Sequence, residues 1–298
     1  MKLFIIGNGF DLNLGLDTKL SSFGKYLKHN ELELYYSLDS FHNLINWNDF
    51  ERNLGEFDLE TVIETNDFNW KQLDYYDQYK TYNDNFHQFL EENINEEISY
   101  IKIMLITHLK DWLPNLNFMD MSEEDEDNFI KFGRNNKRNV FLTFNYTTVL
   151  EEVFYIPEKR VHHIHGSLEN PKGIILGHNS DFKFPPTKPG DVNELKVVEG
   201  NVEDYLTTFN KKCEDRVKDF FEFLKSNNVY EISQIIVLGH SLSEVDEIYF
   251  NEIHSKFPLS KWIFSTFNED DKNRVKVFVK NNNISNYEFT CINGILNS

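Results

Sequence analysis

Phe4-Ile5-Ile6-Gly7-Asn8-Gly9-Phe10-Asp11-Leu12 is the stretch that decides the fold. A short apolar run leads directly into a Gly-x-Gly turn, which is typical of the first strand and turn of an α/β domain. In such domains the backbone of the turn comes close to a phosphate at a helix N-terminus. Many strand–turn–helix joints use glycine only for turning, so the motif indicates the fold and leaves the ligand open.

The same stretch departs from the ordinary dinucleotide-binding fingerprint. Leu12 stands at the position of the third glycine, and no acidic residue ends a second strand about 20 residues further on. We therefore expect any nucleotide bound here to be held in a different way.

Short apolar runs rich in Ile, Val, Leu and Phe recur along the rest of the chain, with helical patterns between several of them. The predicted strands are Lys2–Ile6, Val140–Phe144, Val161–Ile164, Gly173–Leu176, Ile232–Leu238, Lys261–Phe267 and Tyr287–Cys291. Continuous apolar strands are typical of a parallel sheet that helices cover on both faces. The sequence thus predicts an α/β fold with a doubly wound, mostly parallel sheet.

The long stretch after the first strand has helical periodicity and no strand pattern. Apolar and aromatic residues at three- and four-residue spacing predict two helices, Asn69–Glu92 and Ile94–Leu113. We assign residues 25–135 to a helical insertion. The nucleotide-binding core then consists of residues 1–24 and 136–298.

Two helices and one long loop are predicted in the C-terminal half. The helices are about Ser243–His254 and Asn268–Asn281, the latter with Asn268 as its N-cap. Residues 179–201 contain several prolines and glycines, and we predict that they form a loop over the site.

Composition excludes several classes of protein. The 298 residues include 49 acidic and 30 basic side chains, a formal net charge of −19, so we expect no nucleic-acid partner.

The two cysteines, Cys213 and Cys291, lie far apart and form neither a disulfide framework nor a zinc module. No apolar run approaches the ~18 residues of a membrane span. We expect a cytoplasmic protein without membrane contact.

Polar residues follow the second predicted strand in Leu142-Thr143-Phe144-Asn145-Tyr146-Thr147, and Glu151 lies one helical turn further on. The carboxyl ends of buried strands line the crevice where open α/β sheets bind ligands. Taken alone, Asn145 fits a turn or capping residue equally well.

Val161-His162-His163-Ile164-His165-Gly166 brings three histidines to the next strand end. On a strand, His163 and His165 face the same side, and a histidine at a strand end can act as a general base near neutral pH. A metal site needs more ligands, and His178 and Asp181 are available, but the spacing matches no known metal motif. We expect no metal, and a metal-dependent hydrolase or nuclease remains an alternative.

Gly239-His240-Ser241-Leu242-Ser243 imitates the nucleophile elbow of hydrolases. That interpretation requires a second glycine, where Ser243 stands, and a histidine on a later loop, whereas the histidine after Ser241 lies on the very next helix. The serine-hydrolase interpretation is therefore rejected. Gly239 and Ser241 would instead offer a backbone amide and a hydroxyl to a ribose or phosphate.

Five blocks in this order, GNGFDL, TFNYTTVLE, VHHIHG, ILGH and LGHSLSEVD, resemble the AbiH family of phage abortive-infection proteins. The general plan is similar, more remotely, to sirtuin-like NAD-binding domains. The second resemblance implies a sirtuin-like variant of the Rossmann fold that binds NAD.

These resemblances imply catalytic roles for three residues. His165 would be the general base on a ribose hydroxyl, and Asn145 would position the nicotinamide ribose or an attacking water. Asp11 would supply negative charge, and it is better placed for this than Glu151. The implied cofactor-binding residues are Gly7, Asn8, Gly9, Phe10, Thr143, Gly239, Ser241 and Asp246.

Two departures from the sirtuin-like pattern narrow the expected activity. Thr147 stands where an acidic residue often follows the asparagine, and no zinc-binding cysteine quartet is present, which argues against protein deacylation. The remaining motif pattern resembles that of defence NADases, which cleave the nicotinamide–ribose bond. The alternative is a sensor that holds NAD, ADP-ribose or another nucleotide without turning it over. Because toxic NAD cleavage needs restraint, we expect an inactive assembly or an occluded site, and we expect the protein to form a homo-oligomer.

Overall fold

The protein contains a six-stranded sheet in which all strands are parallel. The computed structural model describes residues 1–42, 46–56, 82–113, 123–170, 173–179 and 193–297. The strands are β1 (Lys2–Ile6), β2 (Val140–Thr143), β3 (Val161–His163), β4 (Gln234–Leu238), β5 (Lys261–Ser265) and β6 (Tyr287–Thr290). Their order, β3-β2-β1-β4-β5-β6, is that of the doubly wound dinucleotide-binding fold, and it reverses between β1 and β4.

Helices make up most of the remaining described residues. They are α1 (Asn8–Asn13), α2 (Leu20–Asn30), α3 (Leu32–Phe41), α4 (Phe50–Asn53), α5 (Tyr82–Trp112), α6 (Glu123–Asn136), α7 (Val149–Glu152), α8 (Asn193–Thr208), α9 (Cys213–Ser226), α10 (Glu247–Lys256), α11 (Glu269–Asn281) and α12 (Ile292–Leu296). None of these helices combines the length and the hydropathy needed to span a bilayer.

Both faces of the sheet are covered by apolar side chains. Along β1, Leu3 and Ile5 belong to one core cluster, whereas Phe4 and Ile6 belong to another. Alternate residues of a strand point to opposite faces, so a strand that is buried on both faces reads as one continuous apolar run. The predicted α/β, doubly wound, parallel sheet is therefore confirmed.

One predicted strand is wrong. The segment 173–176 forms no strand, and its hydrogen bond to the β3 segment runs from Ile175 N to His165 O, at 2.9 Å. The cause is the turn at Gly166, whose φ of +80° reverses the chain just beyond β3. Ile174 and Leu176 are buried in a returning loop instead, and Ile175 is half-buried.

Several helix predictions change in extent. Residues 94–112 belong to the single helix α5, which begins at Tyr82 rather than being interrupted near residue 93. The part of the predicted Asn69–Glu92 helix before residue 82 lies outside the described residues. Helix α10 begins at Glu247, after a 3₁₀ turn over Glu244–Asp246. The Asn268 cap is confirmed, since its side chain accepts a hydrogen bond from Asp271 N at 2.8 Å.

The chain divides into two compact units. The first unit consists of residues 1–19, 113–175 and 212–298, and the second consists of residues 20–112 and 176–211. The first contains the whole sheet, and the second contains α2 to α5 and α8. Helix α8 overlaps the predicted loop 179–201, so residues 193–201 are helical, while 180–192 lie outside the described residues.

The turns that follow β1 and β4 pack directly on each other. Gly7 N donates to Leu238 O at 2.9 Å, and Gly9 N donates to Gly239 O at 2.7 Å. Gly239 has a φ of +65°, and a Cβ at this position would lie 2.1 Å from Phe10 N. Only glycine fits such a position, because other residues would meet both backbone strain and a collision.

We expect Gly239→Ala to lower the free energy of unfolding by about 2 kcal/mol or more, since left-handed strain adds to the collision with Phe10 N. Urea denaturation followed by circular dichroism measures this. Gly200→Ala is the control, because Gly200 lies in α8 with no atom within 4 Å of an added Cβ. Its free energy of unfolding should rise by up to about 1 kcal/mol. Equal effects of the two substitutions would contradict the packing argument.

Candidate functional site

A buried carboxylate joins the segments that follow β1 and β2. Asp11 lies in the short helix α1 and is only 1% exposed. Its Oδ1 accepts a hydrogen bond from Asn145 Nδ2 at 2.8 Å, and its Oδ2 accepts one from Thr147 Oγ1 at 2.6 Å. Two donors from the β2 loop therefore hold one carboxylate from the β1 turn.

The orientation of the Asn145 side chain follows from its acceptors. Its Nδ2 donates both to Asp11 Oδ1 and to Gly7 O, the latter at 3.2 Å. An amide nitrogen has two N–H groups, and a flipped amide would place oxygen against oxygen at both contacts. The atom of Asn145 that remains to accept from a ligand is Oδ1. The backbone is also held, because Asn145 N donates to Thr143 Oγ1 at 3.1 Å.

A histidine–glutamate pair adjoins this cluster. His163 Nε2 lies 2.9 Å from Glu151 Oε1, and His163 Nδ1 lies 3.1 Å from Asn145 O. His163 ends β3, and Glu151 lies in α7, the short helix after the β2 loop. Both side chains are largely buried, at 14% and 11% exposed. Three consecutive strand ends thus contribute to one polar network.

Burial raises the pKa of Asp11 to about 6 from its ordinary value of 3.8. Loss of hydration disfavours the charged form, and this is the largest effect. The hydrogen bonds from Thr147 and Asn145 and the positive charge of His163 act in the opposite direction. At neutral pH the carboxylate is mostly ionised, inside an environment that destabilises it.

His165 lies in a different environment from His163. Its side chain is buried at 3% exposed, and its ring centroid lies 5.4 Å from that of Phe144 and 6.0 Å from that of Tyr249. The prediction that His163 and His165 face the same side is wrong, because β3 ends at His163 and the alternation of a strand stops there. The structure brings Asp11 and Asn145 together and packs His165 against aromatic rings.

Most polar groups in the turn after β1 are already engaged. The amides of Gly7 and Gly9 donate to the β4 turn. Phe10 is fully buried in the core, with its ring 5.4 Å from that of Phe154. Asn8 is exposed, and its Oδ1 accepts a hydrogen bond from the Thr18 hydroxyl. Of the four residues implied to bind NAD in this turn, Asn8 is the one with an exposed polar side chain.

The turn after β4 is held by hydrogen bonds to β5 and within the turn itself. Gly239 N donates to Ser265 Oγ at 2.8 Å, and His240 Nδ1 accepts from Leu242 N at 2.9 Å. Asp246 is buried and accepts from Ser243 Oγ at 3.0 Å.

The polar residues of this turn therefore differ in their access to a ligand. Ser241 is exposed, so its hydroxyl can reach a ligand. Asp246 is buried, and Ser243 donates to its carboxylate, so its predicted role in cofactor binding stays a prediction.

The histidines do not assemble a metal site within the described part of the chain. No group of three or more His, Cys, Asp or Glu side chains there is arranged to hold a metal ion. His163 contacts Glu151, and His165 contacts Phe144. His178 belongs to the second unit, where its Nε2 bonds to Leu206 O at 3.0 Å. The interpretation as a metal-dependent hydrolase gains no support from this geometry.

Sequence reasoning missed two partners in the network. Thr147 was noted only as a departure from an acidic position, yet its hydroxyl holds the carboxylate of Asp11. The pattern of three histidines also gives no indication that His163 pairs with Glu151. The one signal in the sequence was their position after two neighbouring strands, since carboxyl ends of parallel strands meet at one edge.

The fold and the site together define a Rossmann-like α/β protein with a buried polar cluster at the carboxyl edge of its sheet. A model of the family described as bacteriophage abortive infection AbiH matches residues 3–266. The chain belongs to this family, which suggests a role in abortive-infection defence against phage. Comparisons with curated proteins and with solved structures found no match.

We expect Asp11→Asn to raise the free energy of unfolding above pH 6, by up to about 3 kcal/mol. The folded-state pKa of Asp11, about 6, exceeds the ordinary value of 3.8. The wild-type protein therefore loses the stability associated with the protonated carboxyl as pH rises from 3.8 to about 6. The advantage of the variant should therefore shrink to nothing below about pH 4. Urea denaturation at pH values across this window measures the difference.

Asp127→Asn is the control for that experiment, because it removes one negative charge at an exposed position of α6. If both variants gained the same stability at all pH values, loss of net charge rather than burial of Asp11 would be the cause.

Proposed function

We propose that this protein is an abortive-infection effector that binds NAD at the carboxyl edge of its sheet and hydrolyses the nicotinamide–ribose bond. The observation that carries the proposal is the cluster of Asp11, Asn145 and Thr147. It supports the proposal because sheets with this strand order bind dinucleotides at the carboxyl ends of their strands. The sirtuin-like plan, in which an asparagine after a mid-chain strand positions the nicotinamide ribose, is part of the same proposal.

Hydrolysis of NAD requires a held ribose, stabilisation of positive charge as the bond breaks, and access for water. Asn145 Oδ1 would accept a hydrogen bond from a ribose hydroxyl, because both N–H groups of this amide are engaged within the protein. Asp11 accepts a hydrogen bond from Nδ2 of the same amide. Its ionised carboxylate would favour the developing oxocarbenium ion, since charges act strongly over short distances where water is excluded.

The phosphates and the adenosine would contact different groups from those that the glycine motif suggests. The amides of Gly7, Gly9 and Gly239 donate within the protein. The exposed side chains of Asn8 and Ser241 remain as polar contacts on the two turns where the strand order reverses. We propose that these two side chains face the diphosphate and the adenosine ribose.

Incubation of the purified protein with NAD should yield ADP-ribose and nicotinamide in equal amounts, measured by mass spectrometry. Asn145→Ala should lower the rate by about 10²-fold or more, because it removes a positioned polar contact to the reacting ribose. Asn13→Ala is the control, since Asn13 lies in α1 with Asp11, is exposed, and bonds to Asn293. Calorimetric binding of NAD without any release of nicotinamide would instead identify a sensor.

The rate of NAD hydrolysis should rise with pH through about 6, because the ionised form of Asp11 is the form that favours positive charge. Asp11→Asn should lose this step and retain only a residual rate at every pH. Initial rates measured from pH 5 to pH 8 test the point. A wild-type rate that falls as pH rises through 6 would contradict the role of Asp11.

A further inference from the structure

We propose that Glu151 is the base that takes the proton of the attacking water, and that His163 positions its carboxylate. The inference rests on the proposed hydrolysis of NAD and deepens it. It replaces His165, which the sirtuin-like resemblance implies as the base, with a carboxylate that belongs to the Asp11–Asn145 network.

The two carboxylate oxygens of Glu151 have different surroundings. Oε1 lies 2.9 Å from His163 Nε2. Oε2 is buried and has no hydrogen-bond partner among the residues that the structure describes. Buried polar oxygens in folded proteins are nearly always paired, so this oxygen is expected to accept from a group that the described residues do not supply. A carboxylate oxygen accepts and does not donate, so the missing partner is an O–H or N–H donor.

Both ring nitrogens of His163 are engaged, and one of them holds Glu151. Nδ1 faces Asn145 O and Nε2 faces Glu151 Oε1, so both ring nitrogens face oxygen atoms. A neutral imidazole carries only one N–H, whereas an imidazolium donates from both nitrogens. With either number of N–H groups, the two contacts fix the orientation of the His163 ring and hold Oε1 of Glu151.

Other charges near His163 act on the same pair. The charge of His163 lowers the pKa of Asp11. His162, the preceding residue, is buried against Phe220 and Phe223, and its pKa is lowered to about 4, so it adds no positive charge at neutral pH. The network therefore fixes Oε1 of Glu151 against His163 and leaves Oε2 to accept a proton.

The proposed step balances without any further reactant. The bond between ribose C1′ and the nicotinamide nitrogen breaks, and its electron pair leaves with nicotinamide, which becomes neutral. The oxygen of water bonds to C1′, and the proton of that water moves to Glu151 Oε2. Glu151 then releases this proton to solvent, so the overall reaction consumes one water and releases one proton.

Position also distinguishes Glu151 from His165. His163, the partner of Glu151, is bonded to the backbone of Asn145, and Asn145 is bonded to Asp11. His165 is packed against Phe144 and Tyr249, which belong to the core cluster that contains Leu3 and Ile5. A base must lie within hydrogen-bond reach of the proton that it removes.

Glu151→Gln tests the inference because it keeps the size of the side chain and removes its basicity. We expect kcat for NAD hydrolysis to fall by about 10²–10⁴-fold, with KM changed by less than about twofold. Glu152→Gln is the matched control, since this exposed neighbour accepts from Thr148 Oγ1 at 2.7 Å and loses the same charge. Its kcat should stay within about twofold of wild type.

A second variant separates a base from a structural residue. In Glu151→Ala, added formate should restore part of the lost kcat, because a small carboxylate can take the proton in place of the side chain. A merely structural role of Glu151 would show no such rescue. His163→Gln should lower kcat less than Glu151→Gln does, because the carboxylate remains but loses its fixed orientation.

The outcomes distinguish the two proposals. Wild-type protein that releases no nicotinamide would overturn both the NAD hydrolysis and the role of Glu151. Full kcat in Glu151→Gln together with loss of activity in His165→Ala would overturn only the assignment of Glu151. A raised KM with unchanged kcat in Glu151→Gln would show that Oε2 holds a substrate hydroxyl, which also overturns the role as base.

Discussion

The hydrogen bond between Asn145 Nδ2 and Asp11 Oδ1 is the contact on which the site depends. It joins residues 134 positions apart in the sequence, and it lies where β1 and β2 end side by side. Through Asn145 the contact extends to His163, and through His163 to Glu151. Without it, Asp11 would be a buried charge with the Thr147 hydroxyl as its single side-chain donor.

Burying the charged carboxylate of Asp11 costs free energy, and this cost is typical of a residue that serves function. An ionised carboxylate at 1% exposure loses its hydration, and two hydrogen bonds recover only part of that loss, so the pKa of Asp11 stays raised. A residue selected only for stability would not be a buried aspartate. Polar groups held in costly positions at the edge of a parallel sheet are typical of functional sites, where strain or charge serves chemistry rather than folding. In the proposed mechanism, the negative charge of Asp11 favours the oxocarbenium ion as it forms.

In the turns after β1 and β4, the glycines allow close packing, whereas neighbouring polar side chains are exposed to a ligand. Gly7, Gly9 and Gly239 allow two backbone turns to touch, and their amides donate across or beside that contact. A glycine-rich turn is often taken to indicate a phosphate cradle, but here the amides of Gly7 and Gly9 donate to the backbone of the turn after β4. The exposed hydroxyl of Ser241 and the amide of Asn8 are what this edge offers to a ligand.

Sequence by itself determined the parts of this protein that depend on local patterns. The continuous apolar runs of β1, β2, β4 and β5 specified buried parallel strands, because a strand covered on both faces has no polar side. The cap at Asn268 was equally local, since an Asn side chain and the backbone three residues on form the whole interaction. These features need no knowledge of the rest of the chain.

Only the tertiary structure decided which polar residues act together. Three histidines on one strand end were equivalent in sequence, yet the end of β3 at His163 left His163 beside Glu151 and turned His165 toward Phe144. The partnership of Asp11 with Thr147 depended on the pairing of β1 with β2, a contact between distant segments. Strand register and the point where a strand ends are set by packing across the whole sheet, so no local pattern contains them.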